Sequence, residues 1–307
     1  MKLKISLDWT PNVIHAGLLW AMHQGLFEKA GLEIDYISTE VDNYTQKPIQ
    51  RLINGEVDIC IGPTEHLFHF VCARQGEVPD IQAFATVMQG DMSAFVVKES
   101  SGIASPALLD GKRYAGYQTP LEQEILAAMI QAAGGKGQFE RITPPRLEVW
   151  KHFMEGQADC AWVFLPWEGV LAEAEGVALQ AFQPHHYGVP YGYSTLLFAR
   201  KESLEAHKEA FLTLRTVLAQ GYREAAQKPQ EVAAYLCEKV QHANFARQAL
   251  IEKAMEIIAP SFLNEQGHWG LMEMARFKGY LHWLQERGLS PYQGQVLEPF
   301  LWAEGLL

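Results

Sequence analysis

The first residues of the chain combine a strand pattern, a polar loop and a helix pattern in direct succession. Hydrophobic residues alternate over residues 2–7, and an apolar helical pattern follows over residues 17–22. The loop between them carries Trp9, Asn12 and His15. A strand that ends in such a loop and continues into a helix places the loop at the carboxyl edge of a sheet, where α/β folds bind ligands. The sequence therefore predicts a binding site in this loop.

The same succession of strand, loop and helix recurs along the chain. Further strand patterns occupy residues 31–37, 57–62, 81–88, 111–117 and 158–164. Strands that alternate with helices predict an α/β fold with parallel pairing and crossover helices, and the apolar strand at 57–62 is expected to be central. After Lys201 the pattern becomes helical, over residues 202–223, 229–238, 246–257 and 268–287.

Two β-rich stretches, residues 94–98 and 194–199, flank the second series of strands and helices. We interpret them as crossovers between two α/β lobes, with the carboxyl edges of both sheets facing a shared cleft. The first lobe is then residues 1–93 plus 200–307, and the second is residues 94–199. A ligand would be enclosed by a hinge motion at the two crossovers.

The composition restricts the partners of this chain. The net charge of -11 argues against nucleic acid or an anionic membrane surface as the main partner. No apolar run reaches the about 18 residues that a membrane span needs, so we expect none. The four cysteines show no metal-binding or CxxC spacing, and we expect Cys60 and Cys160 to be buried free thiols.

The amino terminus leaves the compartment open between two alternatives. The first strand begins almost at Met1, without the basic segment, apolar core and cleavage site of a signal peptide. The protein is cytoplasmic if Met1 is the native start, and periplasmic or lipid-anchored if a leader was removed.

In the first lobe, each candidate side chain has a structural alternative. Asn12 is equally suited to capping the next helix. Thr64 and Glu65, after the third strand, could bind a ligand at a helix start or simply be favourable first-turn residues. His66 and His69 are spaced for a metal pair, but no third ligand follows at a diagnostic spacing, so we expect no metal.

In the second lobe, candidate residues lie in three loops. Thr119 precedes Pro120 and fits either a helix cap or a ligand contact. We expect Trp162 to be a core residue, whereas the side chains that follow its strand are candidates for the cleft. The loop at 185–193 is rich in aromatic residues and glycine, which suits a flat heterocycle or a packed loop. The second-lobe candidates are Tyr117, Gln118, Thr119, Glu122, Glu124, Trp167, Glu168, Tyr187 and Tyr191.

No catalytic motif is present in the sequence. We find no nucleophile elbow, phosphate-binding loop, dinucleotide glycine fingerprint or HExxH zinc motif. We therefore expect a binding protein without a cofactor.

Two segments carry the most specific part of a resemblance to a known family, which residues 25–32 and 55–58 continue. They are Leu7-Asp8-Trp9-Thr10-Pro11-Asn12 with His15 and Gly17, and Tyr187-Gly188-Val189-Pro190. The first resembles the opening motif of the NMT1/thiamine-pyrimidine-synthase-like (SsuA-like) proteins with a periplasmic-binding-protein fold. The second is similar to a loop of binding proteins for formylaminopyrimidine and related thiamine precursors. The resemblance implies a two-lobed, type II binding-protein fold.

The resemblance implies one of two functions. One type of family member delivers a small molecule to an ABC transporter, and this predicts a substrate-binding protein for a thiamine-related aminopyrimidine. The alternative is a cytoplasmic pyrimidine-precursor synthase that uses a lysine-held pyridoxal phosphate and a sacrificial histidine. His66 matches that histidine, but Gly62 replaces the lysine, and the cysteine-rich iron motif is missing.

The first function assigns a role to each candidate. We expect Trp9, Tyr187 and Tyr191 to stack on the ligand ring. The hydrogen-bonding candidates are Asn12, Glu65 and Glu168, and those that would hold a polar tail are Thr64 and Thr119. The full set expected to bind the ligand is Trp9, Asn12, His15, Thr64, Glu65, Tyr117, Thr119, Trp167, Glu168, Tyr187 and Tyr191. The partners are a small molecule and an ABC transporter membrane subunit.

Overall fold

The computed structural model describes residues 1–117 and 119–306 and divides into two compact units. The first unit comprises Met1–Asp91 and Gly192–Leu307, and the second comprises Met92–Tyr191. Both units are α/β. Within the described residues, no helix has both the length and the apolar content of a membrane span.

Ten strands form in the part of the chain that the structure describes. They are β1 (Lys2–Ser6), β2 (Glu33–Ile37), β3 (Ile59–Gly62), β4 (Ile81–Thr86), β5 (Ser93–Lys98), β6 (Arg113–Ala115), β7 (Glu140–Ile142), β8 (Cys160–Phe164), β9 (Leu179–Phe182) and β10 (Leu196–Arg200).

Up to the end of the second unit the described helices have 3 to 13 residues, and after it they have 6 to 20 residues. They are α1 (Ala16–His23), α2 (Leu26–Lys29), α3 (Pro48–Asn54), α4 (Thr64–His66), α5 (Pro120–Ala132), α6 (Val149–Met154), α7 (Val170–Ala174), α8 (Lys201–Ala206), α9 (Lys208–Gln227), α10 (Pro229–Lys239), α11 (Gln248–Ile258) and α12 (Met274–Glu286). The predicted helix over 202–223 is divided at His207, where the backbone leaves the helical region at φ -124°.

The first sheet has the strand order β2-β1-β3-β10-β4. β1 pairs in parallel with β2 and β3, while β10 pairs antiparallel with β3 and β4. The prediction of parallel pairing is confirmed for β1, β2 and β3, and it fails at β10, where the chain returns to this sheet as an antiparallel strand. The prediction that β3 is central is confirmed, and all four of its residues are buried.

β10 also moves a predicted boundary. The sequence-based division assigned residues 194–199 to the second lobe. Leu196 pairs with Gly62 in β3 and with Thr86 in β4, so this stretch is a strand of the first sheet. It therefore belongs to the first unit, which the chain rejoins at Gly192.

The second sheet repeats this arrangement with the order β7-β6-β8-β5-β9. β6 is parallel to β7 and β8, and β5 is antiparallel to β8 and β9. One face packs on an apolar cluster that includes Val149, Phe153 and Val163. On the other face, Phe95 stacks on Trp162 at 4.9 Å, and Trp162 is buried, as predicted for a core residue.

Close helix packing in the first unit supports the loop after β1. Gly221 of α9 lies against α1, where an added Cβ would come within 2.2 Å of the Gly17 carbonyl oxygen. The neighbouring Tyr222 is buried, and its hydroxyl donates a hydrogen bond to the Ile14 carbonyl at 3.0 Å. This bond holds the turn of 3-10 helix over Val13–His15, directly after the polar loop.

Candidate functional site

The first sheet presents three loops at one edge. β2, β1 and β3 run parallel, so their carboxyl ends lie at the same edge of the sheet. The loops that follow these strands occupy residues 38–47, 8–12 and 63–66. They contain the candidate residues predicted for the first lobe except His15, which lies in the turn of 3-10 helix that follows residues 8–12.

Asn12 uses its side chain within its own loop. The Asn12 Oδ1 accepts a hydrogen bond from the Ile14 amide at 2.9 Å, and its Nδ2 donates to the Thr10 carbonyl at 3.0 Å. The side chain is buried and caps the turn over Val13–His15. These are the bonds that the capping interpretation predicts.

His15 is fully buried and supports Asp8. The Asn12 amide donates to His15 Nδ1 at 3.3 Å, so Nδ1 is an acceptor and the ring proton is on Nε2. His15 Nε2 therefore donates to Asp8 Oδ1, at 2.8 Å. Because the ring has no exposed surface, His15 orients the Asp8 carboxylate and has no face of its own for a ligand.

Trp9 is the half-buried aromatic residue of this loop. Its indole meets the ring of Tyr44 edge-on, with centroids 5.4 Å apart and planes at 70°. Tyr44 has φ 57° and follows Asn43 with φ 52°, so two adjacent non-glycine residues adopt the left-handed conformation. Such backbone strain is concentrated at functional sites. Tyr44 is thus a further candidate for the site, which the sequence analysis did not identify.

Thr64 fastens the loop after β3 to the segment before β10. Its hydroxyl donates to the Tyr193 carbonyl at 2.6 Å and accepts from the Tyr193 amide at 2.8 Å. The side chain is fully buried. Both hydrogen-bonding functions of the hydroxyl are therefore occupied by the protein backbone.

The His66 ring packs against Gly62, the position at which the resemblance implies a lysine in the synthases. An added Cβ on Gly62 would lie 2.4 Å from His66 Nδ1, and the His66 ring meets Phe70 edge-on at 5.4 Å. A lysine at position 62 would displace this histidine. The residues present therefore do not fit a lysine-held pyridoxal phosphate, and we derive no reaction step through that group.

Glu65 lies beside His66 at the same helix start and is buried. Burial, together with the charge of Glu65, raises the pKa of the Tyr280 hydroxyl. A π-helical turn over Leu67–Val71 follows. Among the described residues, no three His, Cys, Asp or Glu side chains converge on a metal site.

In the second unit, two carboxylates lie at the carboxyl edge of the sheet. The Tyr117 amide, after β6, donates to Glu122 Oε2 at 3.0 Å, and the Phe164 amide, in β8, donates to Glu168 Oε2 at 3.0 Å. Both glutamates are buried. Burial raises the pKa of Glu168 to about 7, although the backbone hydrogen bonds oppose this change.

The other second-unit candidates are a helix cap, three aromatic residues and two polar residues of the α5 region. Thr119 is buried and accepts a hydrogen bond from the Glu122 amide, so it caps α5. Trp167 is buried in a π-helical turn over Leu165–Gly169. Tyr191 meets Trp162 edge-on at 5.4 Å, and the half-buried Tyr187 meets Phe182 at 6.3 Å. Glu124 is half-buried on α5, and Gln118 lies outside the described residues.

Asp8 and Tyr44 are candidate site residues that the sequence analysis did not single out. Asp8 lies within the motif that was singled out, next to Trp9, so its position was a usable signal. Tyr44 gave no signal, because a left-handed aromatic residue between a strand and a helix has no sequence pattern.

A model of the NMT1/THI5-like proteins matches residues 12–232. The chain belongs to the NMT1/THI5-like family. A formylaminopyrimidine-binding protein of Halalkalibacterium halodurans is 24% identical over 284 residues, covering 92% of this chain and 84% of that protein. A putative thiamine biosynthesis protein of Haemophilus influenzae is 25% identical over 295 residues, covering 94% and 88%.

A solved structure of a distant relative agrees with the fold. The alkanesulfonate-binding protein SsuA from Xanthomonas axonopodis pv. citri, bound to MOPS, superimposes with a TM-score of 0.72 at 13% identity. The match covers 100% of this chain and 98% of SsuA. The fold is therefore the two-lobed, type II periplasmic-binding-protein fold, as the sequence predicts.

Proposed function

We propose that this chain is a substrate-binding protein for a thiamine-related aminopyrimidine, and that it serves an ABC-type uptake system. The observation that carries the proposal is Trp9. Its half-buried indole lies in the loop after β1, meets the ring of Tyr44 edge-on and follows Asp8 in the sequence. A loop that carries both an indole and a carboxylate suits a flat ring with N–H groups.

The relatives support the ligand class. The relative from Halalkalibacterium halodurans is named for binding a formylaminopyrimidine, and that from Haemophilus influenzae for thiamine biosynthesis. Delivery to a transporter is one of the two functions that the family resemblance implies. The identities are near 25%, so the exact substituents of the ligand are part of the proposal.

The geometry changes the roles that we propose for several predicted residues. Asn12, His15, Thr64 and Thr119 form hydrogen bonds within their own unit, and we propose them as supports of the loops. For direct ligand contact we retain the other predicted residues. These are Trp9 and Glu65 in the first unit, and Tyr117, Trp167, Glu168, Tyr187 and Tyr191 in the second.

Two measurements test the proposal. Native mass spectrometry of the purified protein should show a small heterocycle that is released intact. In calorimetry with a 4-aminopyrimidine that carries a formylaminomethyl arm, Trp9→Ala should weaken binding at least tenfold, because stacking and burial of the ring are both lost. The melting temperature should change little.

Trp283→Ala is the matched control for this experiment. Trp283 is also half-buried in the first unit, and it stacks on Tyr280 at 5.7 Å on α12. Its removal should leave the affinity unchanged. An unaltered affinity in Trp9→Ala would show that the ligand does not contact this loop.

The synthase alternative predicts a different outcome. A synthase would show the absorbance of bound pyridoxal phosphate or iron, and the protein would lose mass at His66 after turnover. Position 62 is a glycine, which has no side-chain amine to hold pyridoxal phosphate. We therefore expect neither signal.

A further inference from the structure

We infer that Asp8 selects the ligand by accepting hydrogen bonds from an amino group or protonated ring nitrogen of the heterocycle. This inference rests on the proposed function and assigns a specificity-determining residue to the same site. Asp8 is the second residue after β1, and it immediately precedes Trp9. β1 has a parallel partner on each side, so Asp8 lies among the three loops at the carboxyl edge of the first sheet.

One oxygen of the Asp8 carboxylate is fixed by the protein. Oδ1 accepts the Nε2 proton of His15, and the Asn12 amide fixes the His15 tautomer that can donate it. His15 has no exposed surface, whereas the Asp8 side chain is 15% exposed. A buried histidine used in this way leaves the carboxylate with little freedom to rotate.

The second oxygen of Asp8 has no partner within the described residues. The bond to His15 is the one hydrogen bond or ion pair that Asp8 forms in this part of the chain, and neither lysine nor arginine pairs with it. Buried or partly buried carboxylates are normally paired with a cation or with several N–H donors. The charge also acts on the interior, since it adds to the burial that raises the pKa of Cys60 and of Tyr222.

A ligand that binds this second oxygen must have a definite chemistry. The ligand has to supply one or two N–H donors in the plane of the carboxylate. These donors have to belong to the same ring that stacks on Trp9. An aminopyrimidine offers this pair through its exocyclic amine and a protonated ring nitrogen. A pyrimidinone, which presents a carbonyl oxygen at the same place, would face the carboxylate with an acceptor.

Asp8→Asn tests this directly. The asparagine carbonyl can still accept the His15 Nε2 proton, so the support of the loop is retained. Its NH2 group replaces the ligand-facing oxygen and turns an acceptor into a donor. Calorimetry should use the 4-aminopyrimidine with a formylaminomethyl arm and its 4-oxo counterpart, each with wild-type protein and with the variant.

The expected result is a change of preference. Asp8→Asn should weaken binding of the amino ligand by about tenfold to a hundredfold, the range for one charged hydrogen bond. Binding of the 4-oxo ligand should stay the same or become tighter. Asp58→Asn is the control. The exposed Asp58 carboxylate precedes β3 and accepts a hydrogen bond from the Lys4 amide of β1, so its replacement should affect the binding of neither ligand.

The other outcomes separate this inference from the proposed function. If wild-type protein binds neither ligand, the proposed function is wrong. If it binds the amino ligand, and Asp8→Asn changes both affinities by the same factor or changes neither, Asp8 does not select the ligand. If the variant fails to fold, wild-type protein decides the matter, since a preference for the amino ligand below tenfold would overturn the inference.

Discussion

The buried Glu168 carboxylate should make the stability of the second unit depend on pH. Burial raises its pKa to about 7 in the folded state, against 4.5 for an unperturbed glutamate. Between these two values the unfolded chain releases the proton and the folded chain keeps it. The folded state therefore binds more protons, and the free energy of unfolding falls as pH rises through this window.

The size of this effect follows from the pKa difference. One pKa unit corresponds to about 1.4 kcal/mol, so the contribution of Glu168 is complete below pH 4.5 and has fallen by about 3 kcal/mol above pH 7. Glu168→Gln removes the titration. The glutamine carbonyl can still accept the hydrogen bond from the Phe164 amide, so the end of β8 should keep its conformation.

The assay is denaturant unfolding of both proteins at pH 4.5, 6, 7 and 8. We expect Glu168→Gln to gain about 3 kcal/mol relative to wild-type protein between the lowest and the highest pH. Glu175→Gln, an exposed carboxylate that follows α7, should show no such gain. A difference between wild-type protein and Glu168→Gln that is constant with pH, or that decreases as pH rises, would refute the assignment of a raised pKa.

Two further predictions concern the supports of the first unit. Gly221→Ala should lower the free energy of unfolding by about 2 kcal/mol in denaturant titrations, because its Cβ would lie 2.2 Å from the Gly17 carbonyl oxygen. This steric cost exceeds the about 1 kcal/mol that alanine gains over glycine in helix propensity. Gly90→Ala, which has open space, should change stability by less than about 0.5 kcal/mol. Thr64→Val should cost about 1–3 kcal/mol by the same method, since it leaves the buried Tyr193 amide without its acceptor. An unchanged midpoint in either Gly221→Ala or Thr64→Val would contradict these packing arguments.

Most of the fold could be predicted because its strands and helices have strong local patterns. β3 is a short apolar run bounded by Asp58 and Gly62, and it is central, as that pattern indicates. The antiparallel direction of β10 could not be predicted. Its sequence fits a buried strand in either sheet and in either direction, and its ladder with β3 and β4 depends on long-range pairing.

The candidate site could be located from the sequence, although the role of each side chain could not be assigned. A strand followed by a polar loop identifies the carboxyl edge, and Trp9 lies at that edge. The Trp9 indole contacts the ring of Tyr44, which is distant in the sequence and has a left-handed backbone. Such a conformation is set by the surrounding structure, so no local pattern indicates it.

A further physical rule explains which of the predicted residues form hydrogen bonds within the protein. Short polar side chains in a tight loop lie close to backbone amides and carbonyls that need partners, so they are satisfied locally before a ligand can reach them. Asn12 and Thr64 follow this rule, and both of their hydrogen-bonding functions are occupied. A carboxylate has more acceptor sites than one donor can occupy. For this reason Asp8 can be fixed by His15 and still offer an oxygen to a ligand beside Trp9, and this double use is what distinguishes it from its neighbours.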